Sequence, residues 1–140
     1  MILLLLITCV FSFAGMAQCD KKTLYTSTKQ EWLNSKNEIQ KSEQEKVIVE
    51  ISKTSVFLNH NDDPNDEMKG DVKSMDCNWT ESYKSGKTTI RAKLTEGNND
   101  VHDATLTIEG KDGVLFIIIE LKDNPDMKIK VYIDKYEEES

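Results

Sequence analysis

The side chains best equipped for chemistry in this chain are its two histidines, and both lie in acidic turns. His60 adjoins Asn61, Asp62 and Asp63, and His102 stands between Asp100 and Asp103. Two imidazoles with a carboxylate suit Zn²⁺, while carboxylates with carbonyl oxygens suit Ca²⁺. His60, Asp62, Asp63, Asp100, His102 and Asp103 therefore form a candidate metal-ligand set. The EF-hand pattern does not fit: counted from Asn61, Asp66 stands where that loop needs glycine and Val72 where it needs glutamate. Asp, Asn and Pro are also the ordinary residues of tight turns, and that is the simpler role for these stretches. Gly-x-Ser-x-Gly, glycine-rich phosphate loops and His-Glu-x-x-His are all missing. The expectation is a non-enzymatic protein with no catalytic residues and no cofactor.

A second candidate is aromatic. Trp79 and Tyr83 lie in a stretch, 78–86, that reads as a loop. Rings of this kind are enriched at ligand and partner contacts, or they fold back to plug the end of a β structure. Asn78-Trp79-Thr80 also matches the N-glycosylation acceptor pattern.

Charge narrows the partners. The net charge is −7, and all 18 Lys and Arg follow residue 20, interleaved with acids. With no basic stripe to displace counterions, a nucleic-acid partner is not expected. Residues 2–17 are an apolar run ending in small residues, with Gly15 and Ala17 placed for cleavage after Ala17. That run is short for a membrane span. The expectation is a signal peptide over 1–17 and a mature domain over 18–140 that is secreted or periplasmic and has no membrane span. The mature part keeps two cysteines, Cys19 and Cys77, which an oxidising compartment would join. The alternative is a lipid-anchored Cys19, although Gln18 replaces the small residue that normally precedes a lipidated cysteine.

These residues must be positioned by strands. Gly113–Glu120 carries six consecutive large apolar residues. Leu115, Ile117 and Ile119 fall on one face and Val114, Phe116 and Ile118 on the other, which predicts a central strand covered on both sides. Lys21–Trp32 alternates with Leu24, Thr26, Thr28, Gln30 and Trp32 on one side. Residues 33–46 are polar with only Ile39 as an anchor, and read as a loop or a short surface helix. Val47–Ile51 and Ser55–Asn59 read as a hairpin, followed by a strand over Glu67–Cys77. Lys87–Thr95 alternates cleanly, as do Val101–Glu109 and Met127–Ile133. The acidic tail after Tyr136 reads as solvated. Eight short strands with frequent turns predict a single-domain, all-β, antiparallel up-and-down barrel or sandwich.

In such a meander every odd-to-even connection lies at one end. That end gathers Asp62, Asp63, Asp66 and Glu67 with Glu96, Asp100, His102, Asp103, Asp123 and Asp126. The opposite end gathers Lys53, Lys84, Lys87 and Lys111 and places Cys19 near Cys77. The size, the meander and the export signal, spanning about residues 23 to 135, resemble the lipocalin and calycin group. That resemblance implies eight strands closed around an apolar ligand pocket. The group's Gly-x-Trp signature is absent, because Gln30 stands two residues before Trp32. The functional expectation is an exported protein that binds a small apolar ligand or a protein partner. The alternatives are a divalent-metal module at the acidic end and a surface-tethered lipoprotein with a structural role.

Overall fold

A computed structural model describes residues 18–139. The expected signal peptide lies outside them. After a 3-10 turn at Gln18–Asp20 come nine strands: β1 Lys22–Leu33, β2 Ile39–Ile51, β3 Ser55–His60, β4 Glu67–Glu81, β5 Ser85–Glu96, β6 Val101–Lys111, β7 Val114–Leu121, β8 Asn124–Tyr132 and β9 Lys135–Glu139. Consecutive strands pair antiparallel from β1 to β8, and β8 returns to pair with β1. The fold is thus all-β, and the sheet closes into an up-and-down ring of eight strands, in line with a lipocalin-like architecture. Closure is uneven. The seam between β1 and β8 runs only over Lys29–Leu33, while β9 occupies the rest of that edge by pairing with Lys22–Thr26.

Period-2 alternation sets which side chains face the interior. One inward row crosses the register as Ile90, Leu106, Ile119, Ile129 and Trp32; its neighbour contains Thr88, Ile108, Ile117, Val131 and Gln30. Ile90, Leu106, Ile117 and Val131 are completely buried. The connection between β6 and β7 is the two-residue Asp112-Gly113 turn, with positive φ at both positions, the hairpin geometry whose twist suits flanking strands.

Five expectations need correction. First, the stretch 33–46 is neither loop nor helix: after a turn at 34–38, β2 begins at Ile39. Its first half has no apolar stripe because its inward positions, Lys41 and Glu43, face Trp32 and Gln30 of β1 rather than the core. Second, the stretch 78–86 is mostly strand, with only 82–84 left as a turn. Third, β7 is not covered on both faces. Leu115, Ile117 and Ile119 are buried, whereas Val114 is exposed and Phe116 and Ile118 are half-buried on the outside. The Lys130 ammonium lies 4.3 Å from the Phe116 ring centre and 4.9 Å from that of Tyr132. A long cationic side chain laid over aromatic faces shields apolar surface without a second layer. Fourth, the acidic tail is strand β9, because β1 offers unpaired backbone groups below the seam and Tyr136 stacks on Tyr83, ring centres 4.1 Å apart. In β1, a register shift between Ser27 and Lys29 also breaks the single face expected there. Thr23, Tyr25 and Ser27 are buried below it, and Gln30 above it.

Cys19 and Cys77 form a disulfide, Cα atoms 6.4 Å apart and 58 residues apart in sequence. Closing a loop of that size stabilises the fold by roughly 4 kcal/mol in the chain-entropy treatment. A bridged Cys19 has no thiol left to carry an acyl chain. Among the described residues no helix is long and apolar enough to cross a membrane.

Candidate functional site

The odd-to-even loops do share one end, and the two histidines stand there in separate settings. His60 closes β3. Its Nε2 is 3.2 Å from Oε1 of the fully buried Gln30, and its Nδ1 is 3.5 Å from Asp66 Oδ1. The Gln30 amide donates onward to Glu45, whose other oxygen accepts from Asn61 Nδ2 at 2.6 Å. With Gln30 donating to Glu45, its carbonyl oxygen accepts from His60 Nε2–H. A buried glutamine needs such partners, since an unsatisfied polar group costs about 1–3 kcal/mol. The remaining residues of that turn are already engaged. Asp62 pairs with Lys46 at 2.8 Å, and Asp63 Oδ1 accepts from Asn65 N at 2.9 Å.

His102, near the start of β6, is bridged between carboxylates from two hairpins. Its Nδ1 is 3.0 Å from Asp123 Oδ2 in the β7–β8 turn, and its Nε2 is 3.3 Å from Glu96 Oε2 at the end of β5. The hydrogen bond to Asp123, and next the Glu96 carboxylate beside Nε2, raise its pKa above the usual histidine value, and the same imidazole lowers that of Asp123. Asp100 joins Glu96 and His102 so that one ligand atom from each lies within 4.8 Å of the others. Of the six candidate ligands, only Asp100 and His102 are therefore brought together. Asp103 faces outward opposite Lys93. Glu96 and Asp123, placed at the acidic end by sequence but outside the ligand set, are the actual neighbours of His102.

At the other end Trp79 and Tyr83 are both core residues, each 7% exposed. Trp79 Nε1–H donates to Thr88 Oγ1 at 2.6 Å. The ring lies in a slot made by two facing glycines, Gly86 and Gly110. A Cβ on Gly86 would come within 2.9 Å of the Trp79 ring, and one on Gly110 within 3.0 Å. Tyr83 sits at positive φ in the β4–β5 turn, and its hydroxyl donates to Glu138 at 2.8 Å and meets Thr23 Oγ1 at 3.0 Å. Burial is the main cause that lifts its pKa well above the usual tyrosine range. The Tyr83 backbone N–H donates to the Gln18 side chain at 2.9 Å. The two rings close this end of the ring of strands.

The interior is correspondingly full. A void beside Tyr25, Thr88 and Ile108 measures about 10 Å³, at the lower limit for a single water. A concavity of about 740 Å³ runs instead across the outside of β5 to β8, and two others of about 640 Å³ lie beside the disulfide and beside the β3–β4 and β5–β6 turns. The floor of the first is an outward row in register, Arg91, Thr105, Glu120 and Lys128, one residue from each of four strands. Lys73 of β4 bounds one side, and Ser35 and Lys122 from the adjoining turns, with Pro125 at the start of β8, bound the other. Lys128 is tied to Glu120 at 3.3 Å and to Asn37 Oδ1 at 3.1 Å. No motif announced this groove, because its residues are the unremarkable polar alternates of four strands and only the register collects them.

No family model matches this chain, and neither a curated protein nor a solved structure matches it.

Proposed function

We propose that this chain is an exported, non-enzymatic binding protein that holds a small ligand in the outer groove of β5 to β8 and not within the ring. The observation that carries the reading is the contrast between a filled interior and an external concavity of about 740 Å³. That volume falls in the range of about 300–1,000 Å³ usual for small-molecule sites. The lipocalin resemblance therefore extends to strand topology, while the pocket it implies has been replaced by packed side chains. The test is a thermal-shift panel of small amphiphiles on mature protein. A ligand at about 100 times its Kd adds about 2.7 kcal/mol. Thr105→Trp, filling the groove from its floor, removes the shift of any true ligand. Val131→Ile, which enlarges a fully buried side chain away from the groove, lowers the ligand-free melting temperature and leaves the shift in place. A ligand lost with Val131→Ile and indifferent to Thr105→Trp would place binding inside the ring and overturn the reading.

A second reading, divalent-metal binding at the acidic end, is favoured by one arrangement. Asp123 accepting from His102 Nδ1–H leaves Nε2 directed toward Glu96, with Asp100 nearby. A carboxylate on the far nitrogen is the usual way a ligating imidazole is held. Zn²⁺ should then raise the melting temperature, Glu96→Gln should abolish the effect, and His60→Ala should not. No shift with Zn²⁺ or Ca²⁺ would leave His102 as a bridge between carboxylates only.

A further inference from the structure

We infer that the outer groove selects ligands carrying an anionic group on an apolar body, such as a carboxylate or sulfonate on an aromatic or aliphatic frame. The inference rests on the proposed function above and deepens it. On a chain of net charge −7, this groove is locally cationic: Lys73, Arg91, Lys122 and Lys128 line it against Asp103 and Glu120, four positive charges to two negative. The balance of free charge is more one-sided still. Lys128 already pairs with Glu120, whereas Lys73, Arg91 and Lys122 are exposed and make no ion pair with any described residue. They stand around the floor, on β4, β5 and the β7–β8 turn, so that one anion at the centre would face cations from more than one side. Arg91 adds a planar fork suited to a carboxylate or sulfonate. Between these charges Pro125 and the half-buried Leu121 reach the groove, and they offer a frame apolar contact and no competing donor side chain. A cationic groove on an acidic surface also concentrates anions locally and speeds their arrival at low salt. Asp103 is the one groove carboxylate that makes no ion pair with a described residue, although Lys93 lies across from it, and it opposes the ligand.

The experiment uses a matched pair of fluorescent probes with the same anilinonaphthalene frame, 8-anilinonaphthalene-1-sulfonate and its uncharged counterpart N-phenyl-1-naphthylamine. Each is titrated into folded mature protein, with amide shifts recorded to locate the site. The expected result is that the sulfonate binds at least about ten-fold more tightly than the neutral probe at low salt and perturbs amides 91, 105, 120–122 and 128. The double variant Arg91→Gln/Lys122→Gln should abolish that preference, and Asp103→Asn should strengthen it. Since all three side chains are exposed, these variants are expected to keep the fold, which the amide spectrum checks directly. Equal binding of the two probes in the groove would overturn the anionic class and leave the groove reading intact. Sulfonate binding elsewhere, or binding unaffected by Thr105→Trp, would overturn both.

Discussion

Replacing adjacent isoleucines of β7 by aspartate should give opposite outcomes. Ile117 is completely buried and shares its row with Ile108 and Val131. Ile117→Asp forfeits about 1.5–3 kcal/mol of transfer free energy. It also leaves an unpaired carboxylate among apolar side chains, which costs several kcal/mol more or is relieved only by protonation. A sum on the order of 5 kcal/mol or above consumes most of the stability of a domain this size. Ile118 faces outward, half-buried, with Lys130 directly opposite on β8 and Thr107 on β6. Its replacement loses about half the transfer term, and an opposite-charge cross-strand pair returns roughly 0.2–1 kcal/mol. The net for Ile118→Asp is then about 1 kcal/mol, a midpoint shift near 0.5 M for a urea slope of about 2 kcal/mol/M. Equilibrium urea unfolding followed by tryptophan fluorescence and far-UV dichroism reads both variants. If Ile118→Asp fails to fold, something covers the outside of β7 and the one-sided placement is wrong. If Ile117→Asp folds with a near-native midpoint, the interior is not dry there.

The remaining predictions concern the two ends. His102 has a raised folded-state pKa, so its contribution is fully present below the unfolded value, about 6.5, and is lost as pH rises through the folded value. Asp123, whose pKa is lowered, contributes above the unfolded carboxyl value, about 4, and loses this as pH falls through its folded value. The melting-temperature gap between the parent and His102→Gln should therefore be widest between about pH 4 and 6.5 and close at alkaline pH; a gap constant with pH would refute the bridge. Tyr83→Phe removes the hydroxyl that joins Thr23 to Glu138, at about 1–2 kcal/mol, and should speed amide exchange in β9 before any other strand; uniform acceleration would show that β9 is not held there. Protein recovered from its native compartment should begin at Gln18 and weigh about 2 Da less than its reduced form, whereas an acyl adduct on Cys19 would establish the tethered alternative.

How far the strands could be read from sequence depended on which face met water. Thr88, Ile90, Ala92 and Leu94 of β5 and Ala104, Leu106 and Ile108 of β6 alternate cleanly and are all buried. β7 misled because six apolar residues in a row suggest two covered faces, while its outer face is sheltered by Lys130 and by Tyr132. The Tyr132 hydroxyl, pushed up to about 12 mainly by burial and then by its hydrogen bond to Glu31, belongs to that outer layer. The first half of β2 and all of β9 were silent for the opposite reason. Their positions are polar, and backbone pairing with the two edges of β1 holds them in place. For the site, topology brought both histidines to one end correctly, but the choice of partner is made by side chains distant in sequence. Gln30 for His60 and Asp123 for His102 lie 30 and 21 residues away, beyond any local motif. Trp79 and Tyr83 looked like loop aromatics because Gly86 and Gly110, which open the slot for Trp79, carry no side chain to mark it.

The two ends of the molecule also differ in how they are held, which bears on where a ligand can act. Below, a covalent bridge, the Trp79 slot and the stacked Tyr83 and Tyr136 rings fix β1, β4, β5 and β9 together. Above, the links are hydrogen bonds and ion pairs with exposed partners: Lys46 to Asp62, His102 to Asp123, Lys128 to Asn37. Exposed polar links of this kind are individually weak, and local opening follows the elements with the fewest buried apolar contacts. The outer groove lies between these regimes. Its floor belongs to strands anchored by the core, and two of its walls are the turns at 34–38 and 122–123. A ligand that bridged Arg91 on the floor to Lys122 on the wall would join a rigid element to an adaptable one. Binding should therefore slow amide exchange at 34–38 and 122–123 more than in β5, since protection is gained only where opening was cheap.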